Sequence, residues 1–186
     1  INNPSAGSGG LAISAAGNVT GAGLDLIVTQ SFSAVSSVSL DNCFSGDYDN
    51  YRVLYTLENS SNSANMLIRM RAGGADNTSA TYTFSVGGVQ AGTAVAYSSG
   101  SSQTAGKFYL GVNAGTYGGG SMDILEPFAA RNTSIVADGA TPDGTGVCLR
   151  WFAATLHQTA SSFDGFTIIP TAGTITGTVS VYGYKS

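Results

Sequence analysis

The stretch NMLIRMRAGG, Asn65 to Gly74, decides the fold class. Met66, Ile68 and Met70 fall on one side of an extended chain, while Leu67, Arg69 and Arg71 fall on the other. That period of two marks a strand with one face on a core and one in water, which antiparallel sheets allow. Upstream, YRVLYTLE (51–58) puts Tyr51, Val53, Tyr55 and Leu57 on one face, and LIVTQSF (26–32) and VSSVSLDNCF (35–44) also read as strands. Downstream come TYTFSV, AVAY, KFYLGV and SMDILEPF, the last alternating Met122, Ile124 and Glu126 before Pro127 stops the run. TSIVADG (133–139) follows, and then GVCLRWFAATL (146–156), the most apolar run and a candidate central strand. FDGFTIIP and GTITGTVSVYGY close the chain. Glycine interrupts every window with apolar residues at helical spacing. Strands joined by short Gly/Ser/Asn connections are the signature of an all-β sandwich or barrel.

The totals agree. A chain of 186 residues fits one domain, or one domain plus an extension. It can bury about 70% of its unfolded surface, enough for a real core. Only 10% of residues are charged, with 26 glycines, so the surface is expected to be neutral and hydroxyl-rich. Seven Lys/Arg are scattered against a net charge of −4, which argues against nucleic acid, because neutralising phosphates takes several cations on one face. The apolar runs are too short to span a bilayer, so no membrane insertion is expected. The two cysteines, Cys43 and Cys148, lack CxxC or CxxH neighbours and are expected as buried strand thiols.

The leading segment differs from the rest. LAISAAGNV and GAGLDLIV are short alternating pieces joined by glycine turns, and isolated hairpins of this length are marginal in water. Winding copies from neighbouring chains around one axis buries such strands. Residues 1–23 are therefore expected to form a shaft end or inter-subunit arm, with 24–186 as the β-sandwich domain. Because the sequence starts at Ile1, it is expected to be a piece of a longer chain.

Three stretches read as loops: SVGGVQAGTAVAYSSGSSQTAG (85–106) around a short strand, NAGTYGGGS (113–121) and DGATPDGTG (138–146). Loops on a rigid scaffold are where binding groups tend to sit. A saccharide offers apolar C–H faces and hydroxyls together, which suits a flat ring beside hydrogen-bonding groups. Tyr97 and Tyr117 are rings among small polar residues, and Gln103 and Asn113 supply amides, so these four are the candidate ligand-binding residues. The competing reading packs each tyrosine on its own loop or across a subunit boundary. Trp151 lies in a strand and is expected in the core or at an interface.

Two regions resemble a domain of tailed-phage fibre and virion appendage proteins. FSGDYDNYR (44–52) followed by LIRMRAGG (67–74) is similar to its first half, and GFTIIP with GTVSVYGY is similar to its ending. The likeness covers about 31–91 and 163–186, and the middle of the chain matches nothing in the pattern. The resemblance implies a C-terminal, jelly-roll-like antiparallel β-sandwich, assembled as a homotrimer on the virion. It transfers no catalytic residue.

Chemistry is sparse. His157, the single histidine, has no GxSxG elbow to serve. Asp47, Asp49, Glu58, Asp123, Glu126, Asp138, Asp143 and Asp164 supply carboxylates by number, but most neighbour Gly, Asn or Pro, where aspartate shapes turns. DYDN (47–50) spaces oxygen ligands as calcium sites do but lacks the rest of that loop. No metal, cofactor or catalytic residue is expected. Arg69 and Arg71 are expected on an exposed face or against acidic groups of a neighbouring subunit. The leading expectation is a tail-fibre tip that recognises a host-surface saccharide without catalysis and contacts other virion proteins through its N-terminal side. The alternatives are a capsid decoration or head-fibre protein that stabilises the shell and, third, a glycan depolymerase.

Overall fold

The computed structural model describes residues 12–13, 19–20, 23–62, 64–90, 96–112, 114–142 and 146–184, with backbone alone at 12–13, 19–20, 96 and 110–112. Among them every regular element is a strand: β1 (Ala12–Ile13), β2 (Val19–Thr20), β3 (Leu24–Val35), β4 (Val38–Leu40), β5 (Asn50–Asn59), β6 (Ala64–Ala72), β7 (Ala75–Asp76), β8 (Tyr82–Gln90), β9 (Ala96–Gln103), β10 (Gly106–Val112), β11 (Tyr117–Leu125), β12 (Arg131–Pro142), β13 (Cys148–Ser161), β14 (Gly165–Pro170) and β15 (Ile175–Tyr184). The strands form an eight-stranded sheet, β3-β15-β5-β11-β12-β13-β8-β9, and a five-stranded sheet, β10-β6-β14-β4 with β7 beside β6. The ladders are antiparallel. The two sheets enclose one apolar core, an arrangement consistent with a β-sandwich.

The period-two patterns fill that core. Tyr51, Val53, Tyr55 and Leu57 of β5 point inward from the large sheet, and Met66, Ile68 and Met70 of β6 point inward from the small one. Between them lie Phe108, Met122, Ile124, Trp151, Phe166, Ile168, Val179 and Val181, all at most 1% exposed. Trp151 is the largest buried side chain, in contact with Tyr109 (ring centroids 4.2 Å apart) and Tyr55 (6.1 Å). Gly139 is its partner across the ladder, and a Cβ there would overlap the indole.

Much of the sequence that reads as loop is strand. Tyr82–Gln90 and Ala96–Gln103 pair as β8 and β9, Tyr117–Gly120 opens β11, and Asp138–Pro142 closes β12. The glycines that suggest turns make room for rings instead: Gly139 under Trp151, and Gly87 under Phe152, whose ring would lie 2.6 Å from a Cβ. Glu126 does not continue its strand. It sits just past β11 with φ of 52°, and its amide bonds the Asp49 carbonyl at 2.9 Å. Of the leading segment, β1 and β2 pair with each other, Ala12 opposite Thr20, and the rest of it up to Ala22 lies outside the described residues.

The motifs that carry the resemblance tie the fold together. The Tyr51 hydroxyl accepts from the Ser45 amide (2.7 Å) and donates to the Ser45 carbonyl (2.9 Å), pinning the loop before β5 as a tyrosine corner does. The Tyr48 ring covers Gly183, and its hydroxyl donates to Asp25 at 3.0 Å. Arg69 and Arg71 lie on the outer face of the small sheet, as one of the two expectations had it, and the acids they meet there belong to their own chain. Arg71 binds Asp41 (2.7 Å), Asp76, Thr167 (2.9 Å) and the Gly74 carbonyl, while Arg69 donates to the Thr104 carbonyl at 3.1 Å. The cysteine expectation fails in part. Cys43 is buried in a loop, where burial pushes its thiol up to about 12, but Cys148 is exposed, and both are free.

Overpacking a filled core costs about 1–3 kcal/mol. Gly139→Ala is therefore expected to lower the unfolding free energy by about that amount and to shift tryptophan emission, both read in a urea titration. Gly119→Ala, which points outward on the same pair of strands, is expected to change stability by less than about 1 kcal/mol.

Candidate functional site

The outer face of the eight-stranded sheet is set by the registers that bury its inner face. One row crosses the sheet as Ser180, Leu54, Ser121, Asp138, Phe152, Gly87 and Tyr97. The next row runs Tyr182, Arg52, Asp123, Val136, Ala154, Ser85 and Ser99. Leu125 and Leu156 lie on the far side of this second row, Val89 lies one row beyond the first and Tyr117 two rows beyond it, and Leu24 and Leu26 face outward beside Tyr184 and Tyr182. Of the eleven large hydrophobic side chains that stay exposed among the described residues, ten lie on this face. The eleventh is Phe128, in the turn after β11. Large apolar side chains gathered on one face of a sheet mark it as a candidate contact surface.

Two ion pairs lie on this face, and Glu58, beside Tyr117, is a further carboxylate on it. Arg150 and Asp138, neighbours on β13 and β12, approach to 2.6 Å, and Arg52 lies 3.6 Å from Asp123. Tyr184 donates to Asp123 at 2.8 Å, and Arg52 donates to Ser121 at 3.0 Å. Beside the Arg150–Asp138 pair is a depression of about 550 Å³, lined by Leu54, Gly119, Gly139, Ala140 and Cys148 among others. Its floor is peptide backbone, because the residues there have little or no side chain. Directly beneath, Tyr55 Oη is buried without a hydrogen-bond partner, next to the packed rings of Tyr109 and Trp151.

Tyr97 and Tyr117 both project from this face, 76% and 60% exposed. They are on strands rather than in loops, and four strand spacings, about 19 Å, separate them. They do not form one monosaccharide site. Tyr97 stands opposite Gly87, beside the Phe152 ring that covers that glycine, with Ser85 and Ser99 one row away. Tyr117 stands opposite Glu58, and hydrogen bonding to that carboxylate raises its phenol above the ordinary range. Gln103 is opposite the inward-facing Tyr82 and donates its amide to the Ser101 carbonyl at 2.8 Å, so it is away from Tyr97. Asn113 lies outside the described residues. Phe152 was missed by sequence reasoning. Its partner Gly87 is the signal that could have found it, since glycine inside a strand marks a close approach.

A second, smaller cavity of about 220 Å³ opens where β5 begins and β11 ends, lined by Ser45, Tyr48, Asp49, Glu126, Phe128 and Arg131. Arg131 grips Glu126 through both carboxylate oxygens, at 3.1 and 3.0 Å. Asp47 is occupied by the Ser45 hydroxyl at 3.0 Å.

His157 is fully buried at the inner side of β13. Its Nε2 bonds the Thr81 hydroxyl at 2.9 Å, its Nδ1 lies 3.1 Å from the Thr159 carbonyl, and Tyr82 and Phe163 contact the ring edge-on. The imidazole is thus wedged between a hydroxyl, a carbonyl and two rings, and acts in packing.

Comparison of the chain with protein-family models and with curated proteins finds no match.

Burial lowers the pKa of His157 below its ordinary 6.5. Above that pH the ring is neutral folded or unfolded, and its contribution to stability is complete. As pH falls through 6.5 toward the depressed folded value, the unfolded chain takes a proton that the folded one refuses, so stability drops. Urea midpoints measured from about pH 7.5 to 5.5 should decline in the wild type, and His157→Gln should flatten that decline.

Proposed function

We propose that the chain is a virion appendage domain of the tailed-phage type, working as a fibre tip that binds a host-surface saccharide without catalysis. On this reading it is a homotrimer with a jelly-roll-like sandwich, joined to other virion proteins through its N-terminal side. The motif resemblance supports the source. The insertion of β15 between β3 and β5, and of β14 between β6 and β4, supports the jelly-roll-like order.

One observation carries the binding role. Tyr97, the most exposed aromatic ring among the described residues, stands on edge strand β9 with Phe152 beside it and serine hydroxyls around it. Two neighbouring rings give apolar C–H groups of a sugar a surface to stack on, and hydroxyls meet its polar edge. Three such sites in a trimer bind with avidity, so each site works at weak affinity. A wide apolar face would also suit a decoration protein seated on a capsid, which makes shell stabilisation the second reading.

Adsorption to host cells separates the two. Tyr97→Ala should weaken cell or polysaccharide binding about tenfold per site, the value of roughly 1.4 kcal/mol of ring contact, while circular dichroism stays unchanged. Tyr117→Ala should cost less, because Glu58 already engages that ring. Binding to empty capsids with indifference to cells would favour the decoration reading. Release of reducing sugar from host polysaccharide would favour the depolymerase.

A further inference from the structure

We infer that the outer face of the eight-stranded sheet is the interface through which copies of this chain meet. The inference rests on the homo-oligomeric part of the proposed function and assigns it a surface. Sequence reading put the contact in residues 1–23, whereas the apolar surface that needs cover is on the sheet, which carries ten of the eleven exposed large hydrophobics among the described residues.

Three arguments choose another copy as the occupant. First, the face is nearly neutral within itself. Arg150 is paired with Asp138 and Arg52 with Asp123, so a strongly charged partner finds no complement, while an identical face finds a match. Second, the size fits. Eight strands about 4.8 Å apart and about 30 Å long present roughly 1,100 Å², more than the about 800 Å² per partner that a standard stable association buries. Third, the chain's own leading segment is too poor in apolar groups to cover the face, since its large apolar side chains are Ile1, Leu11, Ile13 and Val19. The relief also suits a cyclic assembly. Val136 and Leu156 project, and the depression over Gly119 and Ala140 recedes, so one copy's ridge has a hollow to enter on the next. Burial centred on β11 and β12 leaves Tyr97, on edge strand β9, and the neighbouring Phe152 ring at the rim.

Sedimentation equilibrium of the chain at micromolar concentration reads the assembly, with Val136→Lys/Leu156→Lys as the interface variant and Ala72→Lys, exposed on the other sheet, as the control. The expected result is a multiple of 18.8 kDa for the wild type and the control, and 18.8 kDa for the double variant with its circular dichroism intact. A wild-type mass of 18.8 kDa overturns both the inference and the oligomeric reading. A double variant that keeps the wild-type mass overturns the inference alone. The wild type supplies a second readout should the variant fail to fold. Cys148, exposed in the isolated chain and lining the hollow, should react with a maleimide about tenfold more slowly in the assembled particle than after dilution to monomer. Equal rates in the two states overturn the inference.

Discussion

The unequal width of the two sheets is the constraint from which the other features follow. A five-stranded sheet covers the inner face of an eight-stranded one, and among the described residues nothing covers the outer face of the larger sheet. On the inner face, rings and methionines of both sheets interlock around Trp151. On the outer face, the chain sets four of its few charges in two pairs and fills most of the remaining positions with serine, threonine, alanine, glycine and scattered large apolar groups. A surface of this kind is soluble enough to fold through and apolar enough to associate. The small sheet is the opposite case. Its outer side carries Arg69, Arg71 and Asp76 in a network with Asp41 and Thr167, a hydrated face with no apolar stripe among the described residues.

The sheets also approach unusually closely at one place. Gly106, at the start of β10, faces Thr155 of β13, and the Thr155 hydroxyl donates to the Lys107 carbonyl at 3.0 Å. A hydrogen bond from one layer to the backbone of the other fixes how the layers sit, because a buried hydroxyl without that acceptor would cost about 1–3 kcal/mol. The same logic makes the orphaned Tyr55 Oη costly. It lies under Gly120 of β11, so the packing around Trp151 sacrifices its hydration.

Strand periodicity was legible in the sequence wherever apolar side chains alternate with polar ones. NMLIRMRAGG and YRVLYTLE carry the signal in β-branched, aromatic and unbranched apolar residues, and their inward sets are buried as the alternation implies. The signal fails in β8, β9, the start of β11 and the end of β12, where glycine, serine and threonine dominate. There the apolar mass that defines the face is supplied by the neighbouring strand: Trp151 fills the place over Gly139, and Phe152 the place over Gly87. A strand whose side chains are borrowed from its partner has no period of its own. The same blindness hid the candidate face. Tyr97 and Tyr117 stood out as rings among small polar residues, yet their shared orientation and their separation depend on registers across five strands, which no local pattern encodes.

The proposed association through the outer face and the proposed binding at its edge impose opposite demands on exposure, and position along the sheet reconciles them. A ring buried in the centre of a subunit contact gains from desolvation but cannot meet an outside ligand. A ring on an isolated loop meets ligands but loses conformational entropy each time it is ordered. On β9 the main chain of Tyr97 is held by its ladder to β8, and its side chain stands beside Phe152 on a strand with one free edge. A rigid ring at the boundary of an interface can contact solvent on one side while a neighbouring copy stiffens it on the other. On the proposed reading, that geometry would couple assembly to recognition: a monomer would present the same ring with less support, and weak sites would lose both their preorganisation and their multiplicity together.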